Sequence, residues 1–314
     1  MEYIKLKNSD LTVSRICMGG CPMGGYGWGD VSEAELIKAV QTALDNGVNF
    51  FDTADTYGLG QSEITLSKAL GKSRHNAVIS DKFGVRAERG RPTAYDNSRD
   101  YIIKACEASL KRLNTDYIDI YTVHYRDGKT PLCEVAETLD ELKKQGKIRY
   151  YALSNINSAD EKELEGLKGK FVSFQNEYSL ACRKNERDMI AFSEKYNLTP
   201  LTWGSLGQGI LSGKYNLNNV DFSENDRRSR DIYVNFHGEK LKKNLEIVER
   251  LKEISACADK PVSAVAIRFI LDYLKESAVL VGVKTPQQIL SNIEATGWNL
   301  SEKQINILLD ASAD

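Results

Sequence analysis

Histidine is scarce in this chain. Only His75, His124 and His237 occur, at no spacing that suits metal ligands, so no metal centre is expected. The six cysteines, Cys17, Cys21, Cys106, Cys133, Cys182 and Cys257, are scattered and form no Cys-x-x-Cys pair. In a chain of 314 residues that pattern points to reduced thiols rather than a disulfide frame. No charge of one sign dominates: the net charge is −2, which gives no basic surplus for nucleic acid. Residues 1–8 lack the apolar centre of a signal peptide, and the longest apolar run, Ala278 to Val283, is far too short to span a membrane. A cytoplasmic protein without a membrane partner is expected. Low-complexity segments and long linkers are missing, so residues 1–314 read as a single domain.

What is present is organised around Val48-Asn49-Phe50-Phe51-Asp52-Thr53-Ala54-Asp55-Thr56-Tyr57-Gly58. An apolar strand ends in a carboxylate, and a tyrosine follows on the next loop. A buried carboxylate is costly unless something cationic pairs with it. Strand-like runs occur at Arg15–Met18, Val48–Phe51, Ala77–Ser80, Ile118–Val123, Ile148–Leu153, Phe171–Phe174, Thr199–Thr202 and Ala278–Val281, with helical stretches between them. Residues 2–6 and 11–13 read as a β-hairpin ahead of the first of these. Alternating strands and helices imply βαβ units and a parallel sheet. An open doubly wound sheet fits the alternation, and eight units in about 300 residues fit a closed (β/α)₈ TIM barrel better.

In such a barrel the site lies at the C-terminal ends of the strands. The residues closing the strands are Gly20 and Cys21, Asp52, Lys82, His124, Ser154 and Asn155, Gln175, Trp203, and Lys284. Each has a bland reading alone: Asp52 as a helix cap, Lys82 as a surface lysine beside Asp81, His124 as a structural histidine. Together they assign roles. Tyr57 is a phenol whose acidity a nearby ammonium increases, Lys82 supplies the ammonium, Asp52 holds Lys82, and His124 donates a hydrogen bond to a carbonyl oxygen. With neither a metal nor a nucleophile–base pair, the site needs an external reagent, and a nicotinamide hydride suits it. The Gly-x-Gly-x-x-Gly dinucleotide fingerprint is missing. A phosphate instead suits Gly282-Val283-Lys284 and the helix starting at Thr285-Pro286. Trp203 offers a flat face to the nicotinamide ring, and Ser154, Asn155 and Gln175 offer partners to its carboxamide.

These residues fall in motifs that resemble the aldo-keto reductases over essentially the whole length. They are Phe51-Asp52-Thr53-Ala54-Asp55-Thr56-Tyr57-Gly58 with Ser62-Glu63, Ser80-Asp81-Lys82-Phe83-Gly84, and Ser109-Leu110-Lys111-Arg112-Leu113. After them come Tyr117 through His124, Leu153-Ser154-Asn155, Gln175-Asn176-Glu177-Tyr178-Ser179, Gly209 through Tyr215, and Gly282-Val283-Lys284 through Gln288 and Asn292. The resemblance implies a catalytic tetrad of Asp52, Tyr57, Lys82 and His124, with Tyr57 as the acid. It implies that Ser154, Asn155 and Gln175 contact the carboxamide and that Trp203 stacks on the ring. It implies that Ser205, Leu206, Gly207, Gln208 and Lys214 clamp the pyrophosphate, that Lys284, Gln288 and Asn292 surround the adenosine end, and that Gly20, Cys21, Asp52, Gly204, Gly282 and Val283 border the cofactor. It also implies that the N-terminal hairpin plugs the barrel bottom.

Lys284, with Arg227 or Arg228 folding over it, favours NADPH over NADH, and Thr285 in place of a second basic residue weakens that preference. The implied activity is reversible reduction of an aldehyde or ketone. The alternatives are a cofactor-binding regulatory subunit with little turnover and, more remotely, an aldolase using Lys82. The pocket is expected to be shaped by Tyr26, Trp28, Phe83, Tyr125 and Arg126, on the loops 21–30, 82–97, 125–131 and 216–235. Cys21 and the stretch Tyr125-Arg126-Asp127 depart from the family pattern. Oligomeric state is not legible.

Overall fold

The computed structural model describes residues 1–88 and 92–313; residues 89–91, within the expected pocket loop 82–97, and residue 314 lie outside the described residues. The chain opens with the antiparallel hairpin β1 (Tyr3–Lys5) and β2 (Thr12–Ser14). Then follow β3 (Ile16–Gly19), α1 (Glu33–Asp45), β4 (Phe50–Asp52), α2 (Gln61–Leu70) and β5 (Val78–Phe83). A two-stranded ribbon, β6 (Val85–Arg86) and β7 (Ala94–Tyr95), precedes α3 (Arg99–Leu113). The chain continues with β8 (Ile118–Val123), α4 (Leu132–Lys144), β9 (Ile148–Ser154), α5 (Glu161–Glu165), β10 (Ser173–Glu177), α6 (Glu186–Tyr196) and β11 (Thr199–Trp203). It ends with α7 (Gly238–Ala258), α8 (Val262–Tyr273), β12 (Ala278–Gly282), α9 (Pro286–Ile293) and α10 (Glu302–Ala311).

The strands β3, β4, β5, β8, β9, β10, β11 and β12 close into a parallel barrel, with β12 returning to pair with β3. The (β/α)₈ expectation therefore holds, and the open sheet is excluded. Between β9 and β10 a 3₁₀ turn, Ser158–Asp160, runs directly into α5, and the helical stretch ends at Glu165. Gly166 and Gly169 follow it, the second with φ of 81°, and glycine carries no helical preference to extend the element. The β6–β7 ribbon had no expected counterpart. Its strands are two residues each, too short for a period-2 signal.

The strands divide their side chains by parity. Cys17, Phe50, Ile120, Ala152, Val172, Leu201, Ala278 and Leu280 fill the barrel interior. Phe51, Ile79, Phe83, Tyr121, Val123 and Leu153 face the helices in a separate, larger core. The hairpin supplies Leu6, Leu11 and Val13 to the interior cluster, all nearly inaccessible. Its tip is fixed by Lys7 N–H on Thr199 Oγ1 at 2.9 Å and by Asn8 Nδ2 on the Phe171 carbonyl at 2.8 Å. It thus closes the N-terminal mouth, as the plug expectation requires. Among the described residues no helix is long and apolar enough to cross a membrane.

Candidate active site

The same parity delivers the polar residues. Phe50 points inward, so Asp52, two residues on, does too, and β4 pairs it with Ser80 of β5. Ser80 and Lys82 then face inward from β5, and Thr122 and His124 from β8 and its end. Lys82 is the hub. Its Nζ forms a very short ion pair with Asp52 Oδ1 and donates to Tyr57 OH and to the Thr53 carbonyl, both at 3.3 Å. The second Asp52 oxygen accepts from Gln175 Nε2 at 2.8 Å. Tyr57 reaches this point because the turn after β4 folds back, its amide bonded to the Ala54 carbonyl at 3.1 Å. The His124 ring meets the Tyr57 ring edge-on at a centroid distance of 5.8 Å. The four residues expected at one place are therefore in one place.

Charge states follow from burial and partners. Burial disfavours the Lys82 ammonium, but Asp52 and Tyr57 outweigh it, and its pKa is raised. Lys82 is a fixed cation. Burial raises the Tyr57 phenol, and the opposing pull of Lys82 does not cancel it. Lys82 pulls the phenol towards acidity as expected, but burial outweighs that pull, and Tyr57 is a protonated phenol across the neutral range. Burial and then Lys82 push His124 well below its usual range, so the imidazole is neutral, and its Nδ1 has no partner.

The site opens into a cavity of about 680 Å³, within the span of small-molecule sites. Of the expected residues, Gly20, Cys21, Trp28, Asp52, Tyr57, Lys82, His124, Tyr125, Ser154, Asn155, Gln175 and Trp203 line it. So do Gly204, Ser205, Leu206, Gln208, Lys214, Arg227, Gly282, Lys284, Gln288 and Asn292. Gly207 and Val283 do not. Gly207 is buried against Ile210 and Ala181, where its φ of 55° sets the turn, and the Val283 side chain belongs to the outer core.

Three pocket expectations are corrected. Phe83 has the outward parity of its strand and stacks on Tyr121 at 4.4 Å, beneath the helices. Arg126 turns away from the cavity to Asp160, Glu163 and the Thr130 carbonyl. Tyr26 is 64% exposed on the rim, its carbonyl accepting from Arg227 Nη2 at 2.8 Å. Asp81, a suggested local partner of Lys82, faces the helices and meets it only through the Lys82 amide. The lining also includes Arg228, Tyr233, Ser263 and Ser291. Arg228 is one of the two arginines expected over Lys284. Tyr233, Ser263 and Ser291 were not foreseen, since they arrive from a loop and from helices, which carry no strand-end signal.

The loops after β3 and β11 meet across this cavity. Trp28 bridges to Asp226, Arg227 N–H donates to the Gly27 carbonyl at 3.0 Å, and the Arg227 guanidinium lies 5.3 Å from the Trp28 ring. Lys284 Nζ makes a very short bond to the Trp28 carbonyl. Arg228 is held by Asp226 and by Tyr215 OH at 2.8 Å. Four cations, Lys214, Arg227, Arg228 and Lys284, thus line the cavity.

A cavity lined by both the acid site and four cations suits an anionic cofactor. The profile of the Aldo/keto reductase family matches residues 15–313. This chain belongs to the aldo-keto reductase family. It is 33% identical to "Aldo-keto reductase YhdN" of Bacillus subtilis, over 99% of this chain and 94% of that protein. It is 29% identical to the NADH-specific methylglyoxal reductase of Escherichia coli, over 98% of this chain and 97% of that protein. Among solved structures, the glycerol dehydrogenase of Gluconobacter oxydans superposes with a TM-score of 0.88 at 29% identity, covering 98% of this chain and 94% of that one. Members of the family are oxidoreductases that use nicotinamide cofactors.

The residues present fit such a cofactor. Gln175 Oε1 is buried without a donor, while its Nε2 is committed to Asp52, so an amide N–H at the cavity would satisfy it. Trp203 lines the cavity beside it with an unpartnered Nε1. Asn155 is held by Nδ2 on the His124 carbonyl at 2.9 Å, which leaves its oxygen free to accept. Among the described residues no group of His, Cys, Asp and Glu has metal-binding geometry.

Proposed function

We propose that this protein is an NADPH-dependent carbonyl reductase in which Tyr57 is the proton donor. The observation that carries the reading is the Lys82 ammonium, buried between Asp52 and the Tyr57 hydroxyl. Ser154, Asn155, Gln175 and Trp203 would hold a reduced nicotinamide, which when bound would supply the hydride. The chain's own residues do the rest. Neutral His124 orients a substrate carbonyl oxygen at the Tyr57 hydroxyl. As charge develops on that oxygen, Tyr57 delivers its proton, and the Lys82 cation stabilises the phenolate that is left. Asp52 keeps Lys82 in place and charged. The same pairing argues against Lys82 as a Schiff-base nucleophile, which must be neutral to attack. A complete acid site argues against a purely regulatory subunit.

For the cofactor's phosphates, Lys214, Arg227, Arg228 and Lys284 supply the cations. Burial, then the neighbouring Arg228 charge, lowers the Lys284 pKa, so an anion between them relieves repulsion. That supports NADPH over NADH, although the Escherichia coli relative is named for NADH.

The test is a coupled pair of assays. Mixed with NADPH and a panel of aldehydes and ketones, the protein is expected to consume the cofactor, more readily than NADH at equal concentration. Tyr57→Phe is expected to lower kcat by about 10²- to 10⁴-fold with NADPH binding preserved. An unchanged rate in Tyr57→Phe would remove Tyr57 as the donor.

A further inference from the structure

Behind the wall of the cavity runs a chain of three amide side chains that the proposed reaction does not use. Asn244 of α7 is fully inaccessible, and Asn235, in the short 3₁₀ turn Val234–Phe236 before that helix, is nearly so. Neither lines the cavity. Asn244 Nδ2 donates to the Asn235 carbonyl at 3.1 Å and to Asn235 Oδ1 at 3.2 Å. Asn235 Nδ2 donates in turn to Gln208 Oε1 at 2.6 Å, and Gln208 does line the cavity. On its other side Gln208 Nε2 lies 3.5 Å from Glu177 Oε1. A carboxylate only accepts, so Glu177 draws the Gln208 amide nitrogen towards itself and leaves Gln208 Oε1 for Asn235. The relay therefore has one direction, from α7 to the cavity wall. Asn244 Oδ1 is buried with no donor. A half-satisfied buried amide is costly, so what Asn244 contributes is its N–H.

Gln208 is what this relay holds. Its backbone is left-handed, with φ of 55°, between Gly207 at 55° and Gly209 at 105°. Glycine adopts that region freely, whereas a residue with a Cβ does so at a cost and persists only where its surroundings fix it. Two bonds fix Gln208: Asn235 on the side chain, and Arg228 Nη1 on the carbonyl at 3.4 Å. The same segment secures Arg228, since His237 Nε2 donates to the Arg228 carbonyl at 3.1 Å. Residues 235–237 thus fasten both Gln208 and one of the four cations that line the cavity. We propose that Asn235, backed by Asn244, is a positioning residue for the cofactor: it holds Gln208 left-handed and so keeps the turn 204–209 in the shape that receives the dinucleotide. This role rests on the reading that the cavity takes a nicotinamide dinucleotide.

Fastening the long loop to α7 is a separate duty, and the two come apart in one variant. Asn235→Ala keeps the bond from Asn244 to the backbone carbonyl at position 235, which ties the loop to the helix. What it removes is the donor to Gln208. Without that donor the turn is free to leave the left-handed conformation, and the apparent affinity for cofactor falls by the fraction of molecules that stay competent. The acid site is untouched once the cofactor is bound, so KM for NADPH rises while kcat at saturating NADPH holds.

The test uses the full chain and titrates NADPH against tryptophan fluorescence, since Trp28 and Trp203 line the cavity. It needs no carbonyl substrate, so a wrong substrate class does not disturb it. Asn235→Ala is expected to raise the Kd for NADPH about tenfold, as when the competent fraction falls to about one tenth. Asn244→Leu is expected to raise it in the same sense, and it decides if Asn235→Ala does not fold. In a Gln208→Gly background the left-handed turn needs no holding, and adding Asn235→Ala is expected to change Kd by less than about twofold. Hydrogen exchange in the cofactor-free protein is expected to quicken at the amides of residues 207–210 in Asn235→Ala. A parent that binds neither NADPH nor NADH overturns the cofactor reading and this role with it. A parent that binds NADPH, with Asn235→Ala or Asn244→Leu binding it equally well, overturns this role alone. The same loss of affinity with and without the Gln208 side chain overturns the link through Gln208.

Discussion

Lys82 sits where two requirements meet. Its ammonium must stay charged in a place without water, and its position must match the Tyr57 hydroxyl. Asp52 meets the first and the strand register meets the second. Removing one member of a buried pair leaves an uncompensated charge. Lys82→Met is therefore expected to cost about 3–5 kcal/mol in urea unfolding, because Asp52 keeps only Gln175 as a partner. Combining it with Asp52→Leu is expected to restore most of that stability and none of the turnover. Full recovery of stability together with activity would mean that the ion pair serves neither role.

The loops over the site are stitched by side chains that the sequence does not advertise. Asp127 accepts from the Asn97 amide at 2.9 Å, and from the Lys129 amide at 2.9 Å and the Thr130 amide at 2.8 Å, and so joins the loop after β5 to the loop after β8. Burial opposes its charge, but these amides win and hold the carboxyl down at about 2. A depressed folded pKa contributes stability that is present above the unfolded value of 3.8 and is lost as pH falls through 2. Asp127→Asn is accordingly expected to lower Tm at pH 7, and thermal melts in acid are expected to show the gap from the parent narrowing below about pH 4. The neighbouring Arg126 looked like a pocket residue because it lies next to His124 in sequence. A turn separates them, and acids on α5 and just before it claim its guanidinium. Strand-end residues are readable because a strand has a fixed period, whereas the direction of a loop side chain depends on partners many residues away. Lys82 and Phe83 are consecutive in β5, so they cannot both face the axis, and the strand period alone places Phe83 among the helices.

The whole barrel rests on closure at its N-terminal mouth. The hairpin residues Leu6, Leu11 and Val13 complete the interior cluster, in which Cys17, Phe50, Ile120 and Leu201 also lie. Leu6→Ala is expected to cost about 2–5 kcal/mol in global unfolding while kcat changes little, because the cavity it leaves is at the end away from Tyr57. A large fall in kcat with unchanged stability would mean that the two mouths are coupled. The repeated strand–helix rhythm makes this architecture readable, whereas residues 2–13 read by themselves only as a hairpin, and their place as its plug is implied by the resemblance to the aldo-keto reductases. The strand alternation that seats the acid site has a further consequence for how such a molecule can change. One residue inserted within β4 or β5 would exchange the inner and outer faces beyond that point, bringing Phe51 or Phe83 into the cavity and sending Asp52 or Lys82 among the helices. Trp28, Tyr125 and Tyr233 stand on loops and answer to no such period. New substrates can therefore be reached by rewriting those loops in length and composition, while the barrel strands tolerate exchange of side chains but no change of length.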